Sequence, residues 1–234
     1  MLTTARSGLN AALHEIKTVS NNVANASSTG FKKSRSEFAD SYGVASDMMQ
    51  ATATGKGTRI LSSQRSHMQG SFQETGGALD VAINGEGMLV VRRPETPEKL
   101  EFTRNGAIEL ALDGKLVSSD GHEFLSTEEQ PITIPFAVED ANGQVRRLSQ
   151  INIKGDGTVQ TSYGQGIDFD VAKLSLALFA DESKLAADGR NYFLATPGSG
   201  APEIVAPLGN RSGVLQPGFL ETSNVDITDE RNLM

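Results

Sequence analysis

The side chains that could do chemistry are few and far apart in this chain. Three histidines, His14, His67 and His122, are too distant in sequence for any pair to have metal-ligand spacing. A lone histidine of this kind is ordinarily a packed or solvated side chain, and His14 falls on the polar face of the first helix. There is no cysteine, which removes disulfides, thiolate metal sites and a cysteine nucleophile. Asp156-Gly157 and Asp168-Phe169-Asp170 imitate fragments of a calcium loop but lack its full ligand series, and they read as turn-forming and solubilising carboxylates. Asn84-Gly85-Glu86-Gly87 contains a Gly-x-Gly, yet it stands between two strands instead of ahead of a helix, so it is a turn and not a phosphate cradle. The Gly-x-Ser-x-Gly, P-loop and His-Glu-x-x-His patterns do not occur. With no tryptophan and three tyrosines, a stacking platform for sugars or bases is unsupported. This inventory predicts no enzyme, no catalytic, cofactor-binding or metal-binding residue, and no cofactor. A small hydrolase would need scattered Asp and Glu side chains to converge in one pocket.

Charge and hydropathy exclude two classes of partner. The net charge of -8 and pI near 5.0 oppose a nucleic-acid footprint, which needs clustered Lys and Arg. Arg92-Arg93 and Arg146-Arg147 are the only adjacent arginines and read as solvated positions beside strand ends. No window is apolar for long enough to cross a bilayer, so no membrane insertion is expected. The segment 1–17 lacks the apolar stretch and cleavage site of a secretory signal. If the chain leaves the cytoplasm, another route takes it.

The elements follow from periodicity. From Leu2 to Val23 the apolar residues keep a heptad register, with Leu2, Leu9, Ile16 and Val23 at one seam position and Ala5, Ala12 and Val19 at the other. This predicts an amphipathic coiled-coil helix with a narrow stripe that wants a partner helix; docking on its own domain is the alternative fate. The run from Asn21 to Gly30 ends the helix as a polar hinge, because Asn, Ser and Thr compete for backbone hydrogen bonds and Gly30 can adopt positive φ. Residues 1–30 are thus helix and hinge, and 31–57 a linker or arm without clear periodicity. From 58 to 220 short β-branched or aromatic runs alternate with turns, seven of them Asn-Gly or Asp-Gly pairs, at Asn84, Asn105, Asp113, Asp120, Asn142, Asp156 and Asp188. That texture predicts an antiparallel β body of sandwich or barrel type, so the fold class is mainly β with terminal α. At 221–234 capping residues and carboxylates begin a C-terminal helix that the sequence does not continue beyond Met234, too short to be stable alone. Residues 1 to about 30 are accordingly expected to be unprotected in the isolated subunit.

Five stretches, taken together and in order, resemble the flagellar rod and hook protein family. They are Ser7-Gly8-Leu9-Asn10-Ala11-Ala12, Ser20 to Lys32, Asp80-Val81-Ala82-Ile83-Asn84-Gly85-Glu86-Gly87, Phe102-Thr103-Arg104-Asn105-Gly106 and Leu220-Glu221-Thr222-Ser223-Asn224-Val225-Asp226. Asn21, Asn22, Ala24, Asn25, Gly30 and Phe31 form the family motif and hinge within the second. The resemblance implies a structural subunit of the basal-body rod, in which terminal helices pair as an inner coiled-coil layer and the β region lies outside. It implies copies of itself, other rod or hook subunits and the flagellar type III export apparatus as partners, and export without a cleaved signal peptide. Phe38, with Tyr42 four residues on, matches the family's export-gate motif; an aromatic pair on one helical turn is the alternative. The short stretch from Tyr42 to Gly57 is most like a proximal rod protein, whereas Lys33 to Asp40 is closer to the hook pattern, so a hook subunit or hook-like paralogue stays as the alternative. Family members continue their C-terminal helix for several turns, so this end is expected to be truncated or to receive its partner helix in trans. A secreted β-rich binding module fits the β texture but leaves the heptads unexplained.

Overall fold

The computed structural model describes residues 2–42, 55–139, 143–164, 166–209 and 211–232, with the backbone alone at 41, 42, 55 and 56. The chain divides into two units. One comprises 1–27, 32–68 and 224–234, the other 28–31 and 69–223. Helix α1 (Leu2–Ala24) belongs to the first, with strands β1 (Ser34–Tyr42) and β2 (Gly55–Arg65). These strands pair antiparallel, with Phe38 opposite Ile60. The helix buries Ala11, Val19 and Asn22 and half-buries Ser7, His14, Glu15 and Thr18, positions that recur at helical spacing along one face. That face meets the hairpin: Ser7 Oγ accepts from Thr58 N at 3.3 Å, His14 Nδ1 lies 3.0 Å from Ser36 Oγ, and Thr18 Oγ1 lies 2.9 Å from the same hydroxyl.

Two expectations are corrected here. Residues 31–57 are expected to be a linker or arm, but 34–42 and 55–57 are strand, and β2 continues to Arg65 inside the first unit, not in a β body beginning at 58. The strand was illegible because its helix-facing positions are Ser34 and Ser36, so no apolar alternation marks it. The residues between, 43–54, lie outside the described residues. Also corrected is the expectation of an undocked helix, since α1 packs on its own hairpin through a mostly polar face that hydropathy cannot flag.

The second unit is antiparallel throughout its paired strands, and the described residues are mainly β. Its strands are β3 (Phe72–Glu74), β4 (Val81–Asn84), β5 (Met88–Arg92), β6 (Leu100–Thr103), β7 (Ile108–Leu110), β8 (Leu116–Ser118), β9 (Glu123–Phe124), β10 (Ala137–Glu139), β11 (Val145–Ile153), β12 (Thr158–Tyr163) and β13 (Ile167–Lys173). They are followed by β14 (Leu176–Leu178), β15 (Ala186–Gly189), β16 (Tyr192–Leu194), β17 (Glu203–Val205), β18 (Val214–Pro217) and β19 (Phe219–Glu221). A nine-stranded sheet runs β15-β16-β6-β5-β9-β8-β7, with β14 against β5 and β17 against β14. A four-stranded meander, β10-β11-β12-β13, and the pairs β18-β4 and β19-β3 complete it. Strand β5 is buried on both faces. Leu89 and Val91 join one apolar cluster with Phe124, Ile134 and Leu174, while Met88 and Val90 join another with Phe102 and Phe193. Period-two alternation thus splits a continuous apolar run between two cores. Back in the first unit, α2 (Ile227–Asn232) is a single short helix.

Of the seven Asn-Gly and Asp-Gly pairs, those at Asp113, Asp120 and Asp156 fall between strands that pair with each other, while Asp188-Gly189 ends β15 just before the turn into its partner β16. Asn142 lies outside the described residues. The pairs at Asn84 and Asn105 make no hairpin, since β4 pairs β18 while β5 pairs β6, and β6 pairs β16 while β7 pairs β8. At Gly106 the glycine is required for another reason: a Cβ there would lie 1.8 Å from Val81 O, on backbone that is itself fixed by Val81 N donating to Gly106 O at 3.0 Å. Gly106→Ala is therefore expected to cost about 3 kcal/mol, at the upper end for overpacking, as read from a urea midpoint at unchanged slope.

Candidate assembly surface

With one face of α1 committed to the hairpin, its apolar stripe is left outside. Leu2 is 88% exposed, Leu9 61%, Ile16 45% and Val23 38%, and Leu13 adds a further exposed apolar side chain. Ala5 and Ala12 are exposed as well. Val19 departs from the expected seam: only 3% exposed, it belongs to the docked face. The seven seam positions therefore separate into an open stripe and one residue used internally, because the helix turns by about 100° per residue and the hairpin covers the flank next to the stripe.

The motif residues after the stripe are structural in different ways. Asn21 and Ala24 are exposed, and Asn25 donates from Nδ2 to Asn21 O at 2.9 Å. Asn22 is buried. Its Oδ1 accepts from Ser34 N at 2.9 Å, and its Nδ2 donates to Ser34 O at 2.9 Å and to Glu230 Oε2 at 3.0 Å. Phe31 is 4% exposed, and Gly30, at φ +66°, leaves no room for a Cβ beside Asn105 N at 2.7 Å. Phe38 is 36% exposed on β1, a strand and not the helical turn considered above; the side chain of Tyr42 lies outside the described residues. A groove of about 580 Å³ in the first unit is lined by Glu15, Val19, Lys33, Phe38 and Glu230 among others. At the start of α2, Asp226 Oδ1 accepts from Thr228 N at 2.8 Å and from Asp229 N at 3.4 Å. Those backbone donors, with Lys33 nearby, hold the Asp226 carboxyl below its ordinary 3.8. The cap is accordingly complete above that value and fades as pH falls through the lowered one, which amide shifts of Thr228 and Asp229 in an acid titration will register.

In the second unit three of the quoted motifs converge on Arg104, which is 2% exposed. Its Nε donates to Gly87 O at 3.1 Å, its Nη2 to Gly85 O, and its Nη1 to Glu221 Oε2 at 3.3 Å. Gly85 and Gly87 have φ of +117° and +114°, a conformation that lets the turn offer both carbonyls to one guanidinium. Glu221, fully buried, also accepts from Gly70 N through Oε1 at 2.8 Å, and its carbonyl accepts from Gly30 N at 2.8 Å. The sequence alone places Arg104 and Glu221 within the quoted motifs without a role, because neither residue's immediate neighbours mark it as buried.

His122 is a packed histidine. It stacks on Tyr192 with ring centroids 4.0 Å apart, and its Nε2 lies 3.1 Å from both Glu101 Oε2 and Arg93 Nε. Arg93 also pairs with Glu101 at 2.9 Å and Asp188 at 2.7 Å, so the carboxylates gathered here face a guanidinium. Burial pushes the Tyr192 hydroxyl up, and it donates to Ser118 Oγ at 2.8 Å.

Comparison with known proteins gives these arrangements a family. Residues 82–161 match the flagellar hook protein FlgE/F/G D1 domain, and residues 2–32 match the flagella basal body rod protein family. The flagellar basal-body rod protein FlgG of Buchnera aphidicola (subsp. Acyrthosiphon pisum) is 32% identical over 97% of this chain and 85% of its own length. The chain belongs to the flagellar rod and hook family. FlgG of Agrobacterium fabrum is 32% identical over 98% of the chain and 86% of its own length, and the flagellar hook protein FlgE of Salmonella typhimurium is 26% identical over 92% and 59%. The hook alternative is thus no better supported than the rod. As a member of this family the chain is a structural subunit of the flagellar axial structure, and the open stripe on α1 is its candidate assembly surface.

Proposed function

We propose that this chain is a rod subunit of the flagellar basal body that polymerises with copies of itself and other axial subunits into a helical, torque-transmitting tube. The observation that carries this reading is the exposure of Leu2, Leu9, Ile16 and Val23 on a helix already docked through its other face. A subunit that buried its stripe internally would have nothing left with which to build. Identical subunits joined by non-closing contacts generate an open helix. Export through the flagellar type III apparatus without a cleaved signal belongs to the same reading, with Phe38 and Tyr42 as the gate motif.

A clean deletion is expected to abolish motility and leave incomplete basal bodies, with the tagged protein recovered in purified basal bodies of the complemented strain. Normal swimming by a deletion strain that lacks a paralogue overturns the proposal. Phe38→Ala is expected to reduce secretion while leaving the thermal midpoint of the second unit unchanged, because the side chain is partly exposed in the first; undiminished secretion removes Phe38 from the export role.

A further inference from the structure

Two asparagines from opposite ends of the chain grip adjacent residues at the foot of the β1–β2 hairpin. Asn22 satisfies both backbone groups of Ser34, as described. Asn224 does the corresponding work one residue earlier. Its Oδ1 accepts from Lys33 N at 2.7 Å, and its Nδ2 donates to Ser66 O at 2.8 Å and Met68 O at 2.9 Å, beyond the other strand. Buried Lys32 adds a bond from Nζ to Met68 O at 2.8 Å. From Asn224 the chain runs two residues to the Asp226 cap, and α2 then delivers Glu230, 4% exposed, to Asn22 Nδ2.

We infer that Asn22, Asn224 and Glu230 form a latch through which the C-terminal segment holds the N-terminal helix on its hairpin. The docked face of α1 explains why a latch is needed. Only Ala11 and Val19 are buried apolar side chains on it, so hydrophobic burial contributes little and the helix depends on polar contacts for its place. A carboxamide suits the Asn22 position because it offers two donors and an acceptor at once: the donors serve Ser34 O and Glu230, the acceptor serves Ser34 N. Aspartate, equal in shape, would present an acceptor to both the Ser34 carbonyl and the Glu230 carboxylate. Because coupling between two sites is reciprocal, disturbing either end loosens the other. This deepens the assembly reading, since the latch fixes how the stripe is presented, but it holds or fails in the isolated subunit.

The test is hydrogen exchange on the purified full-length monomer. Asn224→Ala and Glu230→Ala are each expected to speed exchange in residues 11–22 by about tenfold or more, a coupling of the usual size, with β5 and β6 unaffected. Asn22→Asp should in turn speed exchange in residues 226–232. Ile16→Asp, which touches the stripe alone, should leave α1 as protected as before, so failure of assembly and failure of the latch are told apart. Unchanged exchange in α1 in both C-terminal variants overturns the latch; so does faster exchange in α1 when Asn22→Asp leaves 226–232 unaltered.

Discussion

Arg104→Met is expected to destabilise the second unit by about 3–5 kcal/mol, the cost of removing one partner from a buried ion pair. Methionine retains much of the side-chain volume, so the loss is electrostatic more than steric. The guanidinium is withdrawn from a Glu221 carboxylate that stays fully buried, and the carbonyls of Gly85 and Gly87 lose their donor at the same time. A natural domain holds only some 5–15 kcal/mol in reserve, so this one side chain separates a stable unit from a marginal one. Far-ultraviolet circular dichroism in urea is the suitable measurement, because the chain has no tryptophan to report fluorescence. Glu221→Gln on the Arg104→Met background should recover part of the loss, since it removes the buried charge while keeping an acceptor for Gly70 N. A loss below about 1 kcal/mol for Arg104→Met, the scale of an ordinary neutral hydrogen bond, would contradict this account of the motif cluster.

Ile16→Asp is expected to abolish rod assembly and motility while changing subunit stability by no more than about 0.5 kcal/mol. The two halves of this expectation have one cause. In the subunit Ile16 is 45% exposed, so an aspartate there remains in water and its charge costs little. In a packed assembly it would sit between Leu9 and Val23 with no water, and an isolated buried charge costs several kcal/mol or forces the contact open. Secretion must be followed separately, because Ile16 lies in the N-terminal segment. Mutant protein that is secreted, folded and unassembled supports the stripe as an interface; normal rods would mean that Leu2, Leu9, Ile16 and Val23 face no partner.

The sequence by itself determined the elements whose signals are local. The heptad spacing from Leu2 to Val23 placed α1, apolar runs such as Met88 to Val91 placed strands, and Asp-Gly pairs at 113, 120 and 156 placed hairpins, because periodicity and positive φ are properties of a few neighbouring residues. Ordered motifs pointed to the family for the same reason. Tertiary structure alone decided what depends on distant residues. It put Val19 inside and Ile16 outside on one helix, since only the hairpin's position distinguishes two adjacent apolar rows. It made Ser34 to Tyr42 a strand, although its helix-facing serines carry no hydrophobic alternation. It gave Gly106 its meaning through Val81, twenty-five positions earlier, and Arg104 its meaning through Glu221, more than a hundred positions later. Burying a charge or crowding two backbones is an event between segments, and its energy appears only when the fold has brought those segments into contact.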